Sequence, residues 1–292
     1  MMYSKIIAGT MKWGLWGARF DTAAYEQMIN DCLAAGVTSF DHADIYGDYT
    51  TEEEFGKVLQ QKPSLRQRMQ LITKCGIQMV SANRPHHKIK SYDTSYEHII
   101  ASVETSLKNL ATDYIDCLLI HRPDPLFHAD EVAKAFEQLK QQGKVLQFGV
   151  SNFRKWQVDL LRSRFPVSVN QVECSLLHLE PFGDGTLDQC QQHNIIPMAW
   201  SPMGGGNLFI TDDDDERNKR IIAVANILAE KYVTSADVII LSWLMTHPSG
   251  ILPVLGTSKI ERVHAAVAAS LLKLEREEWF MLWRASTGRE VA

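Results

Sequence analysis

Residues 115–150 read IDCLLIHRPDPLFHADEVAKAFEQLKQQGKVLQFGV. An apolar run over 115–121 gives way to an amphipathic helical pattern over 130–142, which stops at Gly143. A second apolar run follows at 145–150. Two short apolar runs joined by a helix form one strand–helix–strand unit, whose strands lie parallel. The unit recurs in both directions. Toward the N-terminus, strands are expected at 6–8, 38–42 and 69–75, with helices at 22–35, 51–60 and 95–110. In the last of these, Ile99, Ile100, Val103, Leu107 and Leu110 recur at helical spacing. Toward the C-terminus, strands are expected at 168–172, 196–200 and 251–255. Helices alternate with them at 154–163, 185–193, 215–231, 235–246 and 259–271. Eight such units close into an α/β fold of the (β/α)8 TIM-barrel type. No Pro/Gly/Ser-rich linker divides the chain, so residues 1–292 read as a single domain.

Composition narrows the function. The chain has 292 residues, 45% of them hydrophobic, and a net charge of -5. That balance disfavours a nucleic-acid surface. The five cysteines are odd in number and form no C-x-x-C pair, which points to a reducing cytoplasm rather than a disulfide or zinc framework. The first residues show no secretory signal, and no apolar stretch approaches the ~18 residues of a membrane span. The acidic run 212–216 is read as a solvated loop entering a helix, and no metal site is expected.

In a barrel of this kind, reactive groups gather at the C-terminal ends of the strands. Asp41, Lys74 and His121 fall at the ends of the second, third and fourth strands, and Tyr46 lies in the loop above Asp41. These four types are chemically complementary. A tyrosine has an ordinary pKa of about 10, too high for efficient proton donation near neutrality. An adjacent ammonium stabilises the phenolate. Lys74 would supply that charge, Asp41 would hold Lys74 in place, and a neutral His121 would orient a carbonyl oxygen. The set implies carbonyl reduction.

At these residues the chain resembles the aldo-keto reductase superfamily, and short bacterial predicted oxidoreductases within it. The resemblance rests on GTMKWG (9–14), FDHADIYG (40–47), ITKCG (72–76), LLIHRPD (118–124), GVSNF (149–153), VNQVE (169–173), AWSPMGGG (199–206) and VLGTSK-x-x-R (254–262). It implies NADPH-dependent reduction of aldehydes and ketones, with Asp41, Tyr46, Lys74 and His121 as the catalytic set and Tyr46 as proton donor to an oxygen whose carbon receives hydride from nicotinamide C4. It further implies cofactor contacts at Thr10, Met11, Asp41, Ser151, Asn152, Gln171, Trp200, Ser201, Met203, Gly204, Thr257, Ser258 and Arg262. Among these, Ser151, Asn152 and Gln171 would meet the carboxamide and Trp200 the nicotinamide face. The glycines 204–206 would admit the pyrophosphate. The start of the eighth barrel helix, with Arg262 in its first turn, would take a 2′-phosphate. No G-x-G-x-x-G fingerprint or Walker sequence occurs.

Three departures from the family stand out. His42 occupies a position commonly threonine. Ala265 and Ala266 stand where adenine contacts are often Glu and Asn. The N-terminal hairpin that floors many such barrels is absent or shortened. Trp13, Trp16 and the 77–93 loop are candidates to touch the small carbonyl substrate. The C-terminal segment 278–285 reads as packing. Two rival readings are a non-catalytic NADP(H)-binding regulatory subunit and a lyase with Lys74 as a Schiff-base nucleophile. The sequence leaves substrate identity and oligomeric state open.

Overall fold

The computed structural model describes residues 3–210 and 215–292. Eight strands form a closed barrel: β1 (Ile7–Gly9), β2 (Ser39–Asp41), β3 (Gln70–Cys75), β4 (Ile115–Ile120), β5 (Val145–Ser151), β6 (Val169–Glu173), β7 (Ile196–Trp200) and β8 (Leu252–Leu255). Every neighbouring pair is parallel, and β1 closes the ring by pairing with both β2 and β8. The surrounding helices are α1 (Thr22–Ala34), α2 (Thr51–Gln61), α3 (Tyr96–Asn109), α4 (Ala129–Gln141), α5 (Lys155–Arg162), α6 (Thr186–His193), α7 (Glu216–Tyr232), α8 (Ala236–Met245), α9 (Ile260–Ala269) and α10 (Arg276–Thr287). Each strand and barrel helix expected from sequence lies within two residues of its observed bounds. Asp215 caps α7 by accepting from the Asn218 amide at 2.9 Å; residues 212–214 of the acidic run lie outside the described residues.

Strand periodicity sorts the side chains. Ile7, Ile72, Cys117, Leu119, Val169, Met198 and Val254 form one buried cluster drawn from six strands, which fills the barrel. Residues of opposite parity, such as Phe40 and Leu71, pack instead against α1 and α2. Among the described residues no hairpin precedes β1. Tyr3 takes part in the interior cluster, only 3% exposed, and its hydroxyl donates to Gln147 Oε1 at 3.0 Å. One aromatic side chain thus closes the floor.

Segment 278–285 is packing. Trp279 of α10 stacks on Trp243 of α8 and on Trp283, with ring centroids 5.1 and 5.4 Å apart. The indoles of Trp243 and Trp279 each donate to the other residue's carbonyl, so both buried N–H groups are satisfied. The 77–93 segment folds back as a small antiparallel hairpin, Ile77–Gln78 against Ser91–Tyr92. No described helix is long and apolar enough to cross a membrane.

Candidate active site

Asp41 shares its parity with Ser39, Lys74 with Ile72, His121 with Leu119, Gln171 with Val169, and Trp200 with Met198. The filled interior below therefore forces these five side chains into the mouth above it. His42 has the parity of Phe40 and turns the other way. It is wholly buried with its ring edge-on to Phe55, centroids 4.6 Å apart. Tyr46 arrives from a tight turn after β2, where Gly47 adopts φ +59°. A Cβ at Gly47 would lie 2.3 Å from Thr51 Oγ1, so this turn requires glycine.

The structure brings the four residues together. The Lys74 ammonium donates to Asp41 Oδ2 at 2.7 Å, to the His42 carbonyl at 2.7 Å and to the Tyr46 hydroxyl at 3.1 Å. The Tyr46 and His121 rings meet edge to face, 6.0 Å between centroids. Asp41 and Lys74 are buried, and Tyr46 is half-buried. Burial works against the Lys74 charge, but Asp41 and Tyr46 outweigh it and hold the ammonium above the ordinary lysine range. Burial, then the charges of Lys74, Arg122 and Lys90, keeps His121 neutral. Its Nδ1 is buried without a partner among the described residues.

Tyr46 departs from the sequence-based expectation. Burial raises its pKa, and the opposing pull of Lys74 only partly offsets this, so the phenol stays protonated. The ammonium offsets the cost of forming a phenolate without leaving an acidic phenol in the free protein.

The expected cofactor residues fall into distinct groups. The Trp200 indole donates to Asn152 Oδ1 at 3.0 Å, and Asn152 Nδ2 donates to Ser151 Oγ at 2.9 Å, so these three form one fixed unit. Ser201 and Gly204 have positive φ, and Met203 lies between them, half-buried. At Gly206 an added Cβ would meet nothing within 4 Å, and at Gly205 only Ser201 Oγ at 3.9 Å, which leaves open backbone for a large anion. The N-terminus of α9 has no side-chain cap, and Arg262 in its first turn is exposed. Thr257 and Ser258 flank it, and Thr257 Oγ1 accepts from the Lys259 amide. An uncapped helix start with an arginine in its first turn can attract an anion.

Other expectations are corrected. Thr10 is wholly buried, and its hydroxyl donates to the Asp41 carbonyl at 3.1 Å, so it braces β2 and offers no surface to a ligand. Met11 beside it is half-buried. Trp13 cannot touch substrate. It is 0% exposed, ringed by Phe20, Tyr25, Phe40 and Phe55, and its indole donates to the Thr257 carbonyl at 2.9 Å. Trp16 does lie at the mouth, 6.2 Å from the Tyr46 ring. Ala266 is buried in the core and Ala265 packs beside it. A cavity of about 490 Å³ lies between the hairpin and α3, lined by Asp44, Tyr49 and His98 rather than by the four central residues.

Sequence reasoning missed one residue, Arg122, and one link, that of Gln171 to Asp41. Arg122, next to His121, donates to the His121 carbonyl at 2.8 Å and stands 5.6 Å above the Trp200 ring. Gln171 donates to Asp41 Oδ1 at 2.8 Å. Neither the reach of Arg122 to Trp200 nor that of Gln171 to Asp41 has a local sequence signal, because each joins residues far apart in the chain. Among the described residues no cluster of three His, Cys, Asp or Glu side chains is arranged to hold a metal.

The chain is similar to known proteins. The model of the aldo/keto reductase family matches residues 5–285. The chain is 45% identical to the uncharacterized oxidoreductase YcsN of Bacillus subtilis (strain 168), covering 100% of this chain and 97% of that protein. It is 41% identical to the 6-dehydroglucose reductase of Agrobacterium fabrum, covering 99% and 97%. In structure it resembles the glycerol dehydrogenase of Gluconobacter oxydans at a TM-score of 0.86, covering 99% and 94%, with 24% sequence identity, a likeness of fold.

Proposed function

The chain belongs to the aldo/keto reductase family of oxidoreductases, and on that premise we propose that it reduces an aldehyde or ketone with NADPH, using Tyr46 as the proton donor. The observation that carries this reading is the buried chain Asp41–Lys74–Tyr46 beside a neutral His121. When bound, the cofactor supplies the hydride. Ser151, Asn152 and Gln171 would hold its carboxamide, and Trp200, fixed by Asn152, would support the ring. The exposed Arg262 at the uncapped start of α9 favours the 2′-phosphate form.

His121 positions the carbonyl oxygen through its Nε2–H. The Tyr46 hydroxyl hands its proton to that oxygen as negative charge develops there. Lys74, held charged by Asp41, stabilises the phenolate that remains. Burial that raises the Tyr46 pKa serves this order of events, because the proton is kept until a strong base appears.

The substrate class suggested by the named relatives is an oxidised sugar, and 6-dehydroglucose belongs in the first panel beside simple aldehydes and diketones. Oxidation of NADPH is followed for the wild type and Tyr46→Phe. The variant is expected to lose about 10²–10⁴-fold in kcat while its NADPH affinity stays. Full turnover without the hydroxyl removes Tyr46 from its role. Tight NADPH binding with no turnover on any carbonyl would make the chain a cofactor-binding subunit.

A further inference from the structure

Asp41 has two carboxylate oxygens, and each has its own partner. Oδ2 accepts from Lys74 at 2.7 Å, across to the adjacent strand β3. Oδ1 accepts from Gln171 Nε2 at 2.8 Å. Gln171 sits on β6. In the ring order β1-β8-β7-β6-β5-β4-β3-β2, strands β2 and β6 are four steps apart in either direction. This hydrogen bond therefore spans the full width of the barrel mouth, and Gln171 is only 3% exposed. Behind it, Lys74 continues the chain to the Tyr46 hydroxyl at 3.1 Å.

The second oxygen matters because the first is shared with a charge. A carboxylate bonded at one oxygen alone can rotate about its last bond and carry its cation with it. A donor on the opposite wall removes that freedom and fixes where the ammonium sits. The amide of Gln171 has a second end: Oε1 is an acceptor with no partner among the described residues, able to take an N–H from a carboxamide.

We propose that Gln171 is a positioning residue that locks Asp41, and through it Lys74, and so links the nicotinamide carboxamide to the Tyr46 hydroxyl. The locking acts in the cofactor-free protein. The link to the carboxamide rests on the NADPH reading above. Gln171 then has two tasks at once: it holds the cofactor through Oε1 and orders the proton donor through Nε2.

The test uses the full chain labelled with ¹⁵N-lysine and free of cofactor. The Lys74 ammonium signal is assigned by its loss in Lys74→Met. Buried among three acceptors, it is expected to exchange its protons slowly in the wild type. Gln171→Met should speed that exchange by about tenfold or more, the scale of a hydrogen bond to a charged group. Adding NADP⁺ should move the Lys74 signal in the wild type, and should not move it in Gln171→Met although NADP⁺ still quenches tryptophan fluorescence. Gln171→Glu keeps the shape but sets a second carboxyl against Asp41, and the two must share a proton. Its kcat should therefore show a new ionisation and fall as pH rises through it, with KM for the carbonyl within about threefold of wild type.

Unchanged exchange in Gln171→Met, or a Gln171→Glu pH profile parallel to the wild type, overturns the positioning role. An NADP⁺ complex of the wild type with an unmoved Lys74 signal overturns the link to the cofactor. A wild type that binds no NADP(H) at all defeats the functional reading, and the exchange comparison still decides the role of Gln171.

Discussion

Lys74 spends all three of its protons inside the protein, on Asp41, the His42 carbonyl and Tyr46. Its residue type and strand-end position were readable from ITKCG, and so was its pairing with Asp41. What could not be read was the net effect on Tyr46. The pull of a nearby ammonium is a pairwise property that sequence suggests, whereas desolvation depends on every atom packed around the ring, and here it prevails. The pair also makes a stability prediction. Lys74→Met would leave a carboxylate that is 2% exposed without its cation, which should destabilise the fold by about 3–5 kcal/mol in urea titrations. The double variant Asp41→Asn with Lys74→Met removes both charges and should lose clearly less than the sum of the single changes. Additive losses would mean the pair does not share its energy.

Between residue and barrel stand the elements that aim these groups. The turn after β2 is the tightest of them. Gly47→Ala sets a Cβ into a left-handed position 2.3 Å from Thr51 Oγ1, and should cost about 1–3 kcal/mol. Because Tyr46 precedes Gly47 in this turn, kcat should fall more than NADPH affinity; equal losses in both would show that the turn does not aim the phenol. The glycine in IYG was visible in sequence. The brace at the other end of β3 was not. Arg66, in a short 3₁₀ segment after α2 (Pro63–Arg68), donates to Asp116 Oδ2 at 2.7 Å and to the carbonyls of Met69 and Tyr114 at 3.0 and 2.9 Å. Asp116 in turn accepts from the Leu71 amide, so β3 and β4 are tied in the register that pairs Lys74 with Leu119 and puts His121 just past the last pair, Cys75 with Ile120. Nothing in the local pattern at 63–68 signals this, since Tyr114 and Asp116 lie 48 and 50 residues on.

The whole molecule carries a pH dependence that no single element explains. His42 is fully buried, and burial together with the Lys74 charge lowers its pKa to about 3. His121 shifts in the same direction, again chiefly through burial. Unfolded, both would titrate near 6.5. Below that value the unfolded chain binds protons that the folded chain refuses. The share of stability that these two histidines carry is thus fully present above about pH 6.5 and falls, by at most about 1.4 kcal/mol per pH unit for each, as pH drops toward 3. Between about pH 7 and pH 5 the urea midpoint of the wild type should therefore fall relative to that of His42→Thr; a constant difference would acquit His42. The sequence by itself determined the barrel, through the alternation of strand and helix patterns, and it determined which side chains face the mouth, because strand parity is a local period of two. It also placed Asp41, Lys74 and His121 on neighbouring strand ends. Only the tertiary structure decided that Gln171 reaches Asp41 from the opposite wall, that Trp13 is core rather than substrate surface, and that Tyr46 keeps its proton. Those outcomes depend on which distant residues close around a group and how much water they exclude, and no short stretch of chain encodes that.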